Sequence, residues 1–341
     1  MPEVPPSYGD SRAEYLAVRR HVGLLDRSDH GLVEVTGRDR VSFLHAMLSN
    51  DVKSLGPGRG CAATLLDVHG KVQVIVAVWV LDDRILLVTP PGMAEKLQEA
   101  LDRHLFAEKV SLRNATGEMG FIVLAGSETP ALVARLTGAV LPDSRWSHVA
   151  ASLGDVSLRV VRGGGETGEP EAWLVASAAD GERVRQEALA AGARPVGLLA
   201  QESLRIEAGT PRFGADADTG VLLPEIPSAD LLSDTKGCYP GQEVVVRVRD
   251  RGHVNRHLCG LVLEGDLVPP REAEVLVDGT SVGHVTSAAW SYALERPIAL
   301  AFVRRQHAAP GTTVVVRVGE KMVGASVGDL PFPREPGEAR A

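Results

Sequence analysis

Residues 72–89 read VQVIVAVWVLDDRILLVT: a ten-residue apolar run, a pair of aspartates, and a second apolar run. Short runs rich in β-branched residues on either side of a polar turn predict an antiparallel hairpin. The segment that follows, AEKLQEALDRHL at 94–105, repeats its apolar residues at helical spacing. This stretch therefore predicts strands and helices in one unit, which is an α+β fold.

The same mixed texture extends in both directions from the hairpin. Its order predicts one split-βαβ (ferredoxin-like) unit followed by another. The predicted strands are 31–35, 109–113, 120–125, 157–161 and 172–176, and the predicted helices are 39–48, 130–138 and 181–192. The glycine-rich RGGGETGEP at 162–170 is predicted to be a surface turn between two of these strands.

The texture changes near residue 257. Segments such as AEVLVDGTSVGHVTSA and TTVVVRVGEKMVGASV are strand-like, are separated by glycine, proline and aspartate turns, and show almost no helical period. They predict a small antiparallel β-barrel or sandwich. The predicted organisation is an α+β region at 1–256, a C-terminal barrel at 257–330 and a flexible tail at 331–341.

Composition and charge exclude several classes of function. The net charge is −8, which gives no general attraction to nucleic acid or to an anionic membrane surface. The longest apolar run is about half of a membrane span, and the N-terminus has no apolar signal core, so we expect a cytoplasmic protein. Its three cysteines form no CxxC pair, so the sequence predicts neither a disulfide framework nor a cysteine-based zinc site.

One of the three cysteines, Cys238, lies in KGCYPGQE at 236–243. Lys236 and the arginines of 247–256 give residues 236–256 a local charge of +3, five basic against two acidic residues. Neighbouring cations lower the pKa of a thiol, and glycine and proline permit a sharp, stiff turn. From the residues alone, two interpretations stay open: a reactive thiol at a cavity rim, or a half-buried cysteine in a structural turn.

Three stretches together resemble a known family. They are GLLDRSDHG with VTGRDRVSFLHAMLSNDV near the start, SLRIEAGTPRFGAD at 203–216, and TKGCYPGQEVVVRVRDRGHVNRHL at 235–258. This chain is similar to the YgfZ family of folate-binding proteins, a branch of the superfamily that includes the T-protein aminomethyltransferases. The resemblance implies interlocked α+β subdomains around a central folate cavity, capped by a C-terminal antiparallel β-barrel.

The resemblance also implies a tetrahydrofolate site. Glu207 is expected to accept the two parallel donors of the pterin, because a carboxylate makes strong bidentate bonds to such pairs. Arg205 is expected to support that carboxylate, and Arg247 or Arg256 to meet the anionic folate tail. Without the family, a helix-surface residue paired with Arg205 is the better explanation of Glu207. The remaining implied site residues are Cys238 as the functional thiol with Lys236 beside it, and Tyr239, Gly241, Gln242 and Glu243 as folate-binding positions.

One departure separates this chain from the aminomethyltransferases, which carry an acidic pair just after a Gly-Gly. Here Gly70 is followed by KVQVI, with no carboxylate. General acid–base help at the reacting carbon is therefore missing. We expect a folate-binding protein that supports iron–sulfur cluster assembly or repair in client enzymes, including tRNA-modifying ones, and carries no stable cluster itself. The alternatives are a folate-dependent aminomethyltransferase or demethylating relative, and a scaffold that binds no folate.

Overall fold

The computed structural model describes residues 4–333 of the chain. Seven α-helices lie in this part: α1 Ser11–Arg20, α2 Arg40–Met47, α3 Ala94–Asp102, α4 Thr129–Thr137, α5 Gly181–Ala190, α6 Leu198–Glu207 and α7 Gln242–Arg251. The first eleven strands are β1 Gly23–Asp26, β2 Gly31–Thr36, β3 Gly60–Leu66, β4 Val72–Val80, β5 Ile85–Thr89, β6 Ser111–Asn114, β7 Met119–Ala125, β8 His148–Leu153, β9 Val156–Arg162, β10 Glu171–Ser177 and β11 Arg194–Pro195. The remaining six are β12 Arg256–Leu263, β13 Glu274–Val277, β14 Thr280–Ser291, β15 Arg296–Arg304, β16 Thr313–Val318 and β17 Lys321–Gly328.

The first eleven strands form two sheets. The strand order is β3-β4-β5-β2-β6 in the first sheet and β11-β1-β7-β10-β9-β8 in the second. The chain contributes β1 to the second sheet, leaves to build the whole first sheet, and then returns at β7. The two subdomains are interlocked for this reason, as predicted. The hairpin predicted at 72–89 is confirmed, since β4 and β5 pair antiparallel with Ala77 opposite Val88.

The two sheets face each other. Trp79 and Leu86 of the first sheet share one buried core with Phe121, Val123 and Trp173 of the second. The outer face of the first sheet is covered by α2 and α3, and that of the second by α4 and α5. A sheet buried on both faces explains why β4 reads as a nearly continuous apolar run rather than an alternating one. The layers are therefore helix, sheet, sheet, helix.

The last six strands close into a barrel in the order β12-β15-β14-β13-β16-β17. Its interior is filled by small and branched side chains such as Val275, Val285, Ala301 and Val316, all fully buried. Helix α6 packs against β14 and β15 and so joins the barrel to the α+β region. The predicted fold class, an α+β region followed by an antiparallel barrel, is confirmed.

The boundary predicted for the tail is wrong at its start. Phe332 is buried, and its backbone N–H donates to the carbonyl of Glu207 at 2.9 Å. Its ring packs in the core shared by α6 and the barrel. Burial of an aromatic side chain fixes this segment, whereas residues 334–341 of the predicted tail lie outside the described residues. No helix within 4–333 has the length and apolar composition needed to cross a membrane.

Candidate functional site

Glu207 is the last residue of α6, and its carboxylate is only 5% exposed. One oxygen, Oε2, accepts from the Tyr15 hydroxyl at 2.7 Å and from Arg19 Nη2 at 2.6 Å. The other, Oε1, accepts from the Ser291 hydroxyl at 2.6 Å, with longer bonds from Ser203 and from the backbone N–H of Ala293. A carboxylate offers about four lone-pair positions. Five protein donors therefore occupy both oxygens of Glu207.

These donors come from three parts of the chain. Tyr15 and Arg19 lie on α1, Ser203 lies on α6, and Ser291 ends strand β14 of the barrel. Glu207 thus connects the N-terminal helix, the central helix and the barrel at one buried point. Burial is also the main reason that the pKa of Tyr15 is raised, with the Glu207 carboxylate adding to it. The charge on Glu207 is balanced by Arg19, whose other nitrogen, Nη1, bonds Glu169 at 2.7 Å.

Arg205 does not support Glu207, and that expectation is wrong. Its Nη1 bonds Asp216 at 2.7 Å, and its Nη2 bonds Glu202 at 2.7 Å. Residues two apart on a helix point in different directions, so Arg205 and Glu207 cannot share a face. Asp216 passes the connection on to the barrel, because it accepts from the hydroxyl of Thr286. Arg205 belongs to a second link between α6 and the barrel.

Sequence reasoning missed the residues that surround these links. Arg27 bonds both oxygens of Glu166, at 3.0 and 2.9 Å, and Arg212 approaches the same carboxylate at 3.5 Å. Although burial opposes ionisation, the two arginines lower the pKa of Glu166 to about 2. Glu166 lies in the glycine-rich segment that was predicted as a plain surface turn. No local pattern could have identified these pairs, because the partners are separated by more than 40 residues in the sequence.

The two arginines expected to meet a folate tail differ in their burial and in their ion pairs. Arg256 is half-buried, makes two 3.1 Å bonds to the buried Glu225, and stacks on the ring of Phe302 with its guanidinium carbon 4.3 Å from the ring centre. Its charge is therefore already balanced within the protein. Arg247 is exposed on α7. The structure does not bring these two arginines to Glu207.

In the KGCYPGQE loop, the side chains of Lys236 and Tyr239 are buried, whereas that of Cys238 is exposed. Lys236 is 8% exposed, and its ammonium donates to the carbonyls of His45 and Leu48 at the C-terminal end of α2. It also lies 4.8 Å from the centre of the Tyr239 ring, which is itself buried. A cation at a helix C-terminus is stabilised by the helix dipole. Lys236 and Tyr239 therefore anchor the loop on α2, and the ammonium of Lys236 is held in contacts other than one with Cys238.

Cys238 is exposed, unlike Cys61 and Cys259. Burial raises the pKa of the Cys61 thiol to about 12 and that of Cys259 to about 11. Among the cysteines of the chain, Cys238 is thus the accessible one. The next two predicted site residues also differ in exposure: Gln242 is half-buried and Glu243 is exposed.

Gly241 has a structural role. Its φ is +78°, and a Cβ at this position would lie 2.4 Å from the carbonyl oxygen of Asp67. The loop that carries Cys238 therefore packs closely against the turn 67–70, which ends at Gly70. Asp67 Oδ1 accepts from the backbone N–H groups of His69 and Lys71, both at 2.9 Å. The Asp67 carboxylate, three residues before Gly70, is thus used to close the turn.

The central cavity remains a prediction. Two depressions lie in the described chain, and Glu207 lines neither of them. One, of about 480 Å³, is lined by residues 137–139 and 150–152, and the other, of about 360 Å³, lies at one end of the barrel beside Arg296 and Phe332. Within residues 4–333, no group of three or more histidine, cysteine, aspartate or glutamate side chains is placed to hold a metal ion.

Two interlocked α+β subdomains joined through a buried helix to a closed six-stranded barrel define a two-part architecture, and family models match each part. The GCVT N-terminal domain matches residues 3–225, and the glycine cleavage T-protein C-terminal barrel domain matches residues 256–333. The chain belongs to the glycine cleavage T-protein family. These models support the superfamily of the predicted resemblance without distinguishing its YgfZ branch.

Known relatives cover nearly the whole chain. It is 31% identical to an aminomethyltransferase from Streptomyces avermitilis over 92% of this chain and 86% of the relative. An aminomethyltransferase from Exiguobacterium sibiricum is 30% identical over 97% and 92%. A crystal structure of the glycine cleavage system aminomethyltransferase T from Bartonella henselae superimposes with a TM-score of 0.85 and 23% identity, over 97% of this chain and 91% of that one. The last likeness confirms the fold.

Proposed function

We propose that the protein is a tetrahydrofolate-dependent member of the T-protein family that acts on a folate-bound one-carbon unit, as an aminomethyltransferase or a demethylating relative does. The observation that carries this proposal is the similarity to proteins named aminomethyltransferase, at 31% identity over 92% of the chain. It favours the enzyme alternative over the iron–sulfur function that we expected first from the sequence.

The residues around Glu207 do not fit a bound pterin in this arrangement. A pterin would offer two donors, and both oxygens of Glu207 already accept from Tyr15, Arg19 and Ser291. A pterin contact at Glu207 would require these donors to leave a buried carboxylate, which is costly. Folate binding is therefore proposed from the family, and no step of a reaction is assigned to Glu207.

Two measurements on the purified protein test this proposal. Calorimetric titration with tetrahydrofolate tests binding, and formation of methylenetetrahydrofolate from an aminomethyl-lipoyl carrier or from dimethylglycine tests transfer. Turnover above a no-enzyme control supports the proposal. Binding without turnover on either substrate would reject the transferase, and absence of binding would leave the fold as a scaffold.

A second candidate function is supported by one local observation. Where aminomethyltransferases carry an acidic pair, this chain has none, and the turn before that position contacts the loop of the exposed Cys238. This departure and the exposed thiol are thus adjacent in space. They support a folate-binding protein of the YgfZ type that uses Cys238 in the assembly or repair of iron–sulfur clusters in client enzymes, including tRNA-modifying ones.

Complementation tests the second function. In a strain that lacks its own YgfZ protein, the wild-type chain is expected to restore the activity of iron–sulfur client enzymes. Cys238→Ala should fail, because it removes the thiol from an exposed position where packing is not at stake. Cys61→Ala is the matched control and should still complement. Full complementation by Cys238→Ala would reject a chemical role for the thiol.

A further inference from the structure

The exposed thiol lies beside an exposed helix and an exposed apolar side chain. Helix α7 begins four residues after Cys238, and only Val245 of its ten residues is buried. Val68, at the tip of the turn 67–70, is 73% exposed. We call the exposed residues Val68, Cys238, Arg247 and Arg251 together the α7 surface.

The parts of this surface are held together by close packing. Gly70 has φ +77°, and a Cβ placed on it would lie 3.1 Å from Cβ of Val244 in the first turn of α7. The same turn meets Gly241, just before α7, through the carbonyl of Asp67. The turn that carries Val68, the loop that carries Cys238 and the start of α7 therefore form one packed unit.

The charge of the α7 surface comes from two arginines. Arg247 and Arg251 lie four residues apart, on one face of the helix. Within the described residues neither has an ion-pair or hydrogen-bond partner for its side chain, whereas Arg249 between them pairs with Asp234 and Asp250. Like charges at this spacing repel by a few tenths of a kcal/mol. The hydrogen bond from Arg249 lowers the pKa of the exposed Asp250, and the charge of Arg251 adds to this effect.

We propose that the α7 surface docks an acidic segment of a partner protein and brings that segment to the Cys238 thiol. Carboxylates of the partner would meet Arg247 and Arg251, and an apolar side chain would cover Val68. Charge complementarity selects the partner, because Arg247 and Arg251 lie on the helix that follows the thiol, and residues 236–256 carry a local charge of +3 in a chain whose net charge is −8. This inference deepens the second candidate function, since it states the chemistry of the client that Cys238 would meet.

The dimensions fit a short peptide. At 1.5 Å per helical residue, Arg247 lies about 7.5 Å and Arg251 about 13.5 Å along the axis from the first residue of α7. An extended chain advances about 3.3 Å per residue. A partner chain that starts level with the first residue of α7 would therefore place about its second to fourth following residues along the two arginines.

Thiol–disulfide exchange with model peptides tests the proposal without any client protein. The probes are three peptides whose single cysteine is a mixed disulfide with thionitrobenzoate, followed by glycine and by four glutamates, four glutamines or four lysines. The Cys238 thiolate attacks the peptide sulfur, a protein–peptide disulfide forms, and thionitrobenzoate leaves with the electron pair of the broken S–S bond. Its absorbance gives the rate, and a Cys238→Ser variant identifies the signal that belongs to Cys238.

The expected order of the rates is the opposite of the order that the net charge of the protein would give. At low ionic strength the glutamate peptide should react at least about fivefold faster than the lysine peptide, and the difference should shrink at high salt, where charges are screened. A net charge of −8 by itself would favour the lysine peptide. A faster reaction of the lysine peptide, or equal rates for all three, would overturn the proposal.

Variants connect the preference to the two arginines. Arg247→Gln with Arg251→Gln should remove most of the preference, and the Arg→Lys pair should retain it. Arg20→Gln with Arg194→Gln is the matched control, because both are exposed arginines outside the α7 surface and should leave the preference intact. A preference that survives the glutamine pair would reject this surface. The peptide test and the complementation test are independent. If Cys238→Ala fails to complement but the protein shows no peptide preference, only the docking surface is rejected. If the protein prefers the glutamate peptide but Cys238→Ala complements fully, only the second function is rejected.

Discussion

Glu207 and Cys238 both come from the stretches that carry the family resemblance, yet the fold treats them in opposite ways. The Glu207 carboxylate is 5% exposed and accepts from five donors on α1, α6 and the barrel side. Cys238 is exposed, and the two residues that flank it closely, Lys236 and Tyr239, point inward. A shared motif residue can thus hold the fold together as well as bind a ligand. Burial and the state of its hydrogen bonds distinguish the two roles.

The largest expected difference is in thiol reactivity. Brief alkylation at pH 8 should modify Cys238 at least about a hundredfold faster than Cys61 or Cys259. A pKa of about 12 leaves roughly one Cys61 thiol in ten thousand ionised at this pH, and one of about 11 leaves roughly one Cys259 thiol in a thousand. Mass spectrometry of proteolytic peptides measures the three sites. Cys61 or Cys259 reacting first would contradict the contrast.

Removal of the buried carboxylate should cost the most stability. Glu207→Ala removes the buried acceptor of Arg19 Nη2 and of the Tyr15 hydroxyl, while Arg19 Nη1 keeps Glu169. Loss of one member of a buried ion pair costs about 3–5 kcal/mol. Chemical denaturation measures the change in the free energy of unfolding. The control is Glu243→Ala on the exposed face of α7, where about 0.5 kcal/mol or less is expected. A loss below 1 kcal/mol for Glu207→Ala would show that the carboxylate is not a structural connection.

The anchor of the thiol loop should have an intermediate effect. Lys236→Met keeps the aliphatic stem but leaves the carbonyls of His45 and Leu48 without their donor. An unsatisfied buried group costs about 1–3 kcal/mol, so we expect a loss in this range and faster proteolysis in the loop. Lys321→Met, at an exposed position of the barrel, should be neutral. Unchanged stability of the Lys236 variant would mean that the loop is held by Tyr239 and Gly241 alone.

The same lysine predicts a pH dependence. Burial lowers its pKa in the folded protein from 10.5 to about 8. Between these values the unfolded chain binds more protons at this site, so the contribution of Lys236 to stability rises with pH across that window. The free energy of unfolding of the wild type, measured against that of Lys236→Met, should therefore increase from pH 8 to about 10. A difference that is flat or falls over this range would contradict the burial of the amine.

The smallest effect is expected at the thiol itself. Cys238→Ala removes a side chain that is exposed and outside the buried cores, so stability should change by no more than about 0.5 kcal/mol. Thermal and chemical denaturation measure it, and Cys259→Ala in the barrel core is the comparison, with a larger loss from the buried cavity. If Cys238→Ala loses more than about 1.5 kcal/mol, Cys238 is a structural residue like Glu207. A complementation defect of that variant would then reflect lost stability rather than the lost thiol.

Local pattern was a good guide to the fold for particular reasons. The hairpin of β4 and β5 was predictable because its apolar runs, its aspartate turn and the helix after it are all contiguous. The barrel was predictable because short strands and turns alternate without helical spacing. The end of the barrel region was not, since Phe332 looks like part of a polar tail until α6 and β12 come together to cover its ring.

The sequence by itself determined the α+β region and the barrel, because these follow from residues close together in the chain, but it left open whether Cys238 is exposed, which the fold decided. Only the tertiary structure decided what the charged residues do. In the fold, Glu207 accepts from Arg19 and Tyr15, Arg205 pairs with Asp216, and Lys236 donates to the C-terminal end of α2. The physical reason is that a buried charge must find partners wherever the fold places them, and those partners came from α1, α2 and the segments flanking the barrel.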